Sequence, residues 1–348
     1  IASDLQRSYQ TFLDINKAHV LMLAKQGIIE KDVAKQILQV TQEIASMQDN
    51  PQFEIIPDVE DVYFNFERYL IKRTSLEVGG QQHTARSRND MFATQIRYDA
   101  RRVFLELCQH FNTLRRNFLQ LARNNTDAVM SGYTHLQPSE PITLAHYCSA
   151  VLNAMSRDYE RLSHVWTTIN QCPLGGGSMG STTFNIDRHY TSELLGFDKP
   201  LENSLDCVAG RDFALEMTAA MSMATLTFGR IAMDLTIWAT PEYGYLEVDD
   251  SVAGCSSIMP QKKNPIGLEH VRAKAAHQEA FYVSICTGMK NVPYMHCRDI
   301  SSESMRYFWT AMTEFMQDTD LLNVSIKDIK VNKECCRARK AISALSLN

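Results

Sequence analysis

Three polar segments of this chain have the composition of a site rather than of a solvated surface. The run SSIMPQKKNP at 256–265 gathers two hydroxyls, two ammonium groups and two amides within ten residues. Such a loop can grip a carboxylate and also present an oxygen as a base. The run HTARSRND at 83–90 offers two guanidiniums, hydroxyls and an amide just ahead of a helix-like pattern. Arginine forks match carboxylates in shape and charge. The run GYTHLQP at 132–138 sets His135 between Thr134 and Gln137. Taken together, the three imply a small dianionic substrate and acid–base chemistry. Spacing alone does not name the reaction.

Rigid elements must hold these segments in place. Glycine and proline are few, 15 and 10 among 348 residues, and they cluster between long runs of helix formers. Alternating β-branched strand signals are nearly absent, so the expected class is all-α. Apolar positions Phe213, Met217, Ala220, Ala224, Phe228, Ile231, Leu235 and Trp238 recur at steps of three and four, which predicts a helix over 211–239 that Pro241 ends. A second helix is expected over 142–170, with Pro141 as its first-turn residue and a stripe through Leu144, Tyr147, Val151, Ala154 and Tyr159. A third covers 88–124, with Phe92, Ile96, Val103, Leu107 and Phe111 on one side, and a fourth follows Pro265 to about Met289. Four such helices imply an elongated bundle. The sixteen methionines read as core filler. The expected division is an N-terminal helical lobe at 1–83, a central bundle at 84–335 carrying the motifs, and the start of a C-terminal lobe at 336–348. Both ends read as cut.

Bulk properties exclude several classes. The net charge is −5, and no Lys/Arg-rich run suggests nucleic acid as a partner. Nine cysteines, an odd count without a CxxC pair, suit reduced thiols in a cytoplasmic protein better than a disulfide framework. The N-terminus lacks the basic start and apolar stretch of a signal peptide. The apolar uncharged run 217–229 falls short of the roughly 20 residues a membrane span needs. Gly175-Gly176-Gly177 has no Gly-Lys-Ser/Thr after it, so turn chemistry replaces a phosphate loop.

The SSIMPQKKNP run closely resembles the signature loop of the aspartase/fumarase superfamily. HTARSRND and GYTHLQPSEPI resemble the other two signature blocks as argininosuccinate lyases carry them. Similarity extends through DINKAHVLMLAKQGII, PLGGGSMGSTTFNIDR, NSLDCVAGRDFALE and IWATPEYGYLEVDD, in the family's order. The resemblance implies a homotetramer whose active sites are each shared among three subunits. It also implies a trans elimination that releases fumarate without metal or organic cofactor. By position, Ser256 becomes the base, and Lys262 and Asn264 stabilise the aci-carboxylate formed on proton removal. Ser87, Arg88, Asn89 and Thr134, with Gln137 beside them, hold the other carboxylate. His135 pairs with Glu269 to serve the leaving nitrogen.

Departures from the family are local. Cys255 stands where glycine is usual, and Tyr63, in Glu60-Asp61-Val62-Tyr63, where histidine is usual. The segment 294–304, with Tyr294, Arg298 and Ser301 as expected contacts of the amine half, diverges most. Argininosuccinate lyases carry tyrosine, glutamine and lysine where this chain has His296, Ser301 and Ser304. The fumarate half therefore reads as intact and the amine half as altered. The alternatives are a lyase for a different amino-polycarboxylic acid and a non-catalytic, crystallin-like structural relative.

Overall fold

The computed structural model describes residues 2–344, apart from 49, 57, 59 and 60. Glu60 and residues 345–348 of the expected C-terminal lobe thus lie outside the described residues. Twelve α-helices are seen among them: α1 Ala2–Lys25, α2 Lys31–Ser46, α3 Val62–Arg73, α4 Leu76–Gly79, α5 Arg88–Asn124, α6 Leu144–Ile169, α7 Arg188–Leu194, α8 Ser204–Ala209, α9 Asp212–Trp238, α10 Ile266–Met289, α11 Ser304–Lys327 and α12 Lys333–Ala344. Strands occur only as small two-stranded ribbons. An antiparallel hairpin joins β1, Val129–Thr134, to β2, Gln137–Thr143. Later, β6, Gly254–Cys255, pairs with β7, Lys263–Asn264. (β3 and β4 are Gln171–Cys172 and Lys199–Pro200; β5, Leu246–Glu247, pairs with β8, Lys330–Val331.) No described helix is long and apolar enough to cross a membrane.

The four long helices stand where periodicity puts them, and the eight stripe residues of α9 are all buried. One expectation fails. Pro141 is not the first turn of a helix; it lies in β2 opposite Ser131. A proline fits there because this two-stranded ribbon leaves one side of each strand without a ladder partner. The second signature block is accordingly a hairpin rather than a loop before a helix.

The chain folds into two compact units, each made of three segments. The first holds 1–103, 166–213 and 289–303; the second holds 104–165, 214–288 and 304–348. The division 1–83, 84–335 and 336–348 follows chain order, and the two units do not. In the first unit the core lies among α1, α2, α3 and the start of α5, with Leu13, Ile15, Leu23, Ile37 and Phe66 essentially inaccessible. Tyr9 stacks edge-on against Phe66 at 4.9 Å and donates its hydroxyl to the Ile44 carbonyl at 2.8 Å. In the second unit Phe111, Phe228 and Phe315, from α5, α9 and α11, meet with ring centroids 5.8–6.2 Å apart. Each pair adds about 0.5–1.5 kcal/mol beyond the area it buries. Truncating Phe228 to alanine would cost about 3–5 kcal/mol.

Candidate active site

In the first unit, the HTARSRND block ends in a capping arrangement that starts α5. The Ser87 hydroxyl accepts the Asn89 N–H at 3.2 Å, and the Asp90 carboxylate reaches back to the Ser87 N–H at 3.1 Å. The other oxygen of Asp90 accepts the N–H groups of Gly175 at 2.8 Å and Gly177 at 2.9 Å. Asp90 is inaccessible, and burial pushes its carboxyl up while these N–H groups pull it down. Gly177 has φ +64°, and a Cβ there would lie 2.5 Å from the Ser181 carbonyl oxygen, so only glycine fits. Asn89 Nδ2 donates to the Ser178 carbonyl at 3.1 Å. The glycine loop and the helix start thus form two walls of one open polar cavity of about 510 Å³.

Two guanidiniums serve this cavity. Arg88 bonds Asp61 at 3.2 Å and lies over the Phe64 ring at 4.6 Å. Arg86 is buried; its Nη2 donates to Asn16 Oδ1 at 2.9 Å and to the Tyr63 hydroxyl at 3.2 Å, while Nε and Nη1 have no partner. His83 also lines the cavity, and burial followed by the charges of Arg86 and Arg88 lowers its pKa to about 4. The imidazole is therefore neutral near pH 7. The N-terminus of a 37-residue helix adds its own positive field. An anion suits this environment. Ala85 and Ser181, both lining residues, hold left-handed φ of 60° and 61°. Strain of that kind concentrates at functional sites.

The same unit carries the divergent segment. The Tyr294 hydroxyl donates to the Asp206 carboxylate, which with burial raises its pKa to about 12. His296 is half-buried with Nδ1 unpartnered; burial and then Arg211 and Arg298 hold it below the ordinary histidine range. Arg298 is exposed, and Ser301 is half-buried in a π-helical turn at Asp299–Glu303, its N–H on the Cys297 carbonyl at 3.1 Å.

In the second unit, His135 and Leu136 form the two-residue tip between Thr134 and Gln137, with φ of 54° and 58°. Those values match the primed turn that suits hairpin twist, a place normally given to Asn-Gly. Thr134, His135 and Gln137 are exposed. The 256–262 loop hangs from the β6–β7 ribbon. Ser256 Oγ accepts the Met259 N–H at 3.2 Å, so this hydroxyl caps the turn. Lys263 is held by Asp250 at 2.6 Å and Glu247 at 2.9 Å, whereas Lys262 is exposed and has no ion pair among the described residues. Asn264 is half-buried, and Glu269 is exposed in the first turn of α10. Among the described residues, no hydrogen bond or ion pair joins His135 to Glu269 or Ser256 to His135.

Sequence reasoning thus singled out Ser87, Arg88 and Asn89, which the structure gathers around one cavity. It missed Asp90 as the staple, Arg86 as the buried cation, and Ser178, Ser181 and Thr182 as the facing wall. Hydroxyls directly after three glycines were the available signal.

Comparison with known proteins is consistent with this geometry. Residues 5–277 match a protein family described as lyase. Argininosuccinate lyase 1 of Shouchella clausii is 46% identical over 334 residues, covering 96% of this chain and 67% of the relative. Argininosuccinate lyase of Methanosarcina mazei is 35% identical, covering 93% and 65%. An EDDS lyase variant solved with bound fumarate superimposes with a TM-score of 0.88 at 29% identity, covering 98% of this chain and 66% of that one. A class II fumarase from Schistosoma mansoni, at 17% identity and a TM-score of 0.81, shares the fold. The chain spans about two thirds of the length of the curated relatives it matches.

Proposed function

This chain belongs to the argininosuccinate lyase family of the aspartase/fumarase superfamily, and from that membership we propose that it is a carbon–nitrogen lyase eliminating fumarate from an N-substituted aspartate. The observation that carries this reading is Arg86, a buried guanidinium with two unpaired nitrogens in the wall of a polar cavity. Buried N–H donors without partners are costly, and a bound carboxylate would satisfy them.

In the proposed reaction, Ser256 acts as an alkoxide base and takes the proton from the carbon beside one carboxylate. The electron pair flows into that carboxylate, and Lys262 and Asn264 stabilise the aci-carboxylate. Collapse forms the carbon–carbon double bond and breaks the carbon–nitrogen bond. The nitrogen leaves with a proton supplied through the His135–Glu269 pair. Ser87, Arg88, Asn89, Thr134 and Gln137 hold the second carboxylate and fix its orientation. These residues are proposed to meet in a homotetramer that draws each site from three subunits.

Tyr294, Arg298 and Ser301 are proposed to face the amine half. His296, Ser301 and Ser304 stand where argininosuccinate lyases carry tyrosine, glutamine and lysine, so the amine released is proposed to differ from arginine. The test is to offer argininosuccinate, EDDS and other N-succinyl amino compounds and follow fumarate by ultraviolet absorbance. Fumarate is expected from at least one. Turnover of argininosuccinate alone would overturn the altered amine, and no fumarate from any would overturn the lyase.

A further inference from the structure

Below the cavity, three side chains form a directed hydrogen-bond chain. Tyr63 is 1% exposed, on α3. Its hydroxyl lies 3.2 Å from Arg86 Nη2, 2.7 Å from His83 Nδ1 and 3.4 Å from Glu67 Oε1. Guanidinium has no acceptor, so Arg86 must donate to the phenol oxygen. The single phenol proton then goes to the nearer acceptor, His83 Nδ1. A neutral imidazole carries one proton, which this arrangement sends to Nε2.

We propose that Tyr63 is a positioning residue that locks His83 in its Nε2–H tautomer, so that His83 serves as a neutral hydrogen-bond donor to the substrate carboxylate in the cavity it lines with Arg86 and Arg88. The identity of that anion rests on the lyase reading. The charge logic is direct. Two guanidiniums already supply positive charge to the cavity, and a third cation would be repelled by both. A neutral N–H adds a bond and a direction without adding charge. The depressed pKa of His83, caused by burial and then by Arg86 and Arg88, agrees with an imidazole that stays uncharged. The same phenol fixes Arg86, since Nη2 is shared between Tyr63 and Asn16 and only Nε and Nη1 stay free for an anion.

The experiment combines nitrogen NMR of histidine-labelled protein with steady-state kinetics on an N-succinyl compound that the chain turns over. The His83 resonances, assigned by their loss in His83→Gln, are expected to show the Nε2–H tautomer at pH 7. In Tyr63→Phe they are expected to move toward a mixture with Nδ1–H. KM is expected to rise about tenfold, with kcat within about twofold, the loss of one oriented hydrogen bond. A wild-type His83 protonated at Nδ1, or a Tyr63→Phe protein with unchanged tautomer and KM, would overturn the proposal. The spectrum decides the pair even for a chain that releases no fumarate, a result that would sink the lyase reading separately.

Discussion

Asp90 and Gly177 are joined by a 2.9 Å hydrogen bond from the glycine N–H to a fully buried carboxylate, although 87 residues of chain separate them. The same carboxylate takes the N–H groups of Gly175 and Ser87. One side chain therefore fixes the spacing between the helix start that carries Ser87, Arg88 and Asn89 and the loop that carries Ser178 and Ser181. Asp90→Ala would leave three donors unpaired, two of them buried, and is expected to cost about 3 kcal/mol, read from the shift in denaturation midpoint. Asp90→Asn keeps acceptor oxygen on one side only. It is expected to cost about half as much and to raise KM for any dicarboxylate substrate.

Ser256 has two jobs that can be separated. As a turn cap its hydroxyl holds the Met259 N–H, a bond worth about 1 kcal/mol. As a base it would govern the whole elimination. Ser256→Ala is expected to lower stability by no more than about 1 kcal/mol while reducing fumarate release by at least roughly a thousandfold. Activity within about tenfold of wild type would leave only the cap.

Two non-glycine residues at left-handed φ form the hairpin tip, each costing about 1–2 kcal/mol. Leu136 is 64% exposed, so its side chain contributes little by burial. Asparagine tolerates this region. Leu136→Asn is expected to gain about 1 kcal/mol in thermal unfolding and keep turnover. His135→Asn is expected to gain as much and lose turnover, because the proposed proton transfer goes with the imidazole.

Asp318 on α11 is inaccessible, and both carboxylate oxygens lack partners. Burial raises its pKa to about 7; the charge of Lys274 opposes the rise and that of Glu314 adds to it. The folded value lies above the ordinary 3.8, so the unfolded chain gives up this proton first. Stability from this group is full below about pH 4, falls as pH rises toward 7, and is flat above. Asp318→Asn is expected to remove that fall, raising stability at pH 8 by on the order of 4 kcal/mol and leaving it unchanged near pH 4. Denaturant titrations at the two values check it.

Much of the scaffold was legible because long amphipathic helices repeat their signal many times. The 88–124 pattern gives α5 to the residue, and the α9 stripe from Phe213 to Trp238 is buried throughout. Pro141 was misread because a proline before an apolar run is ambiguous. Its strand, QPSEPIT, is largely exposed and shows no apolar alternation, and its turn uses His135-Leu136 instead of Asn-Gly. Arg86 and Asp90 stood inside a motif whose neighbours drew attention. Their importance comes from burial and from partners far along the chain, Asn16 and the glycine loop, which no local window contains. The two compact units were equally out of reach, since each is assembled from three separate segments.

Lys262 and Lys263 are adjacent in sequence and electrically unequal. Hydrogen bonds to Asp250 and then Glu247 raise the pKa of Lys263, and its proton is held by both carboxylates. An acylating reagent, which attacks only the free amine, therefore meets Lys262 first. The loop carries a built-in order of chemical vulnerability, and its exposed first member is the one on which the elimination is proposed to depend.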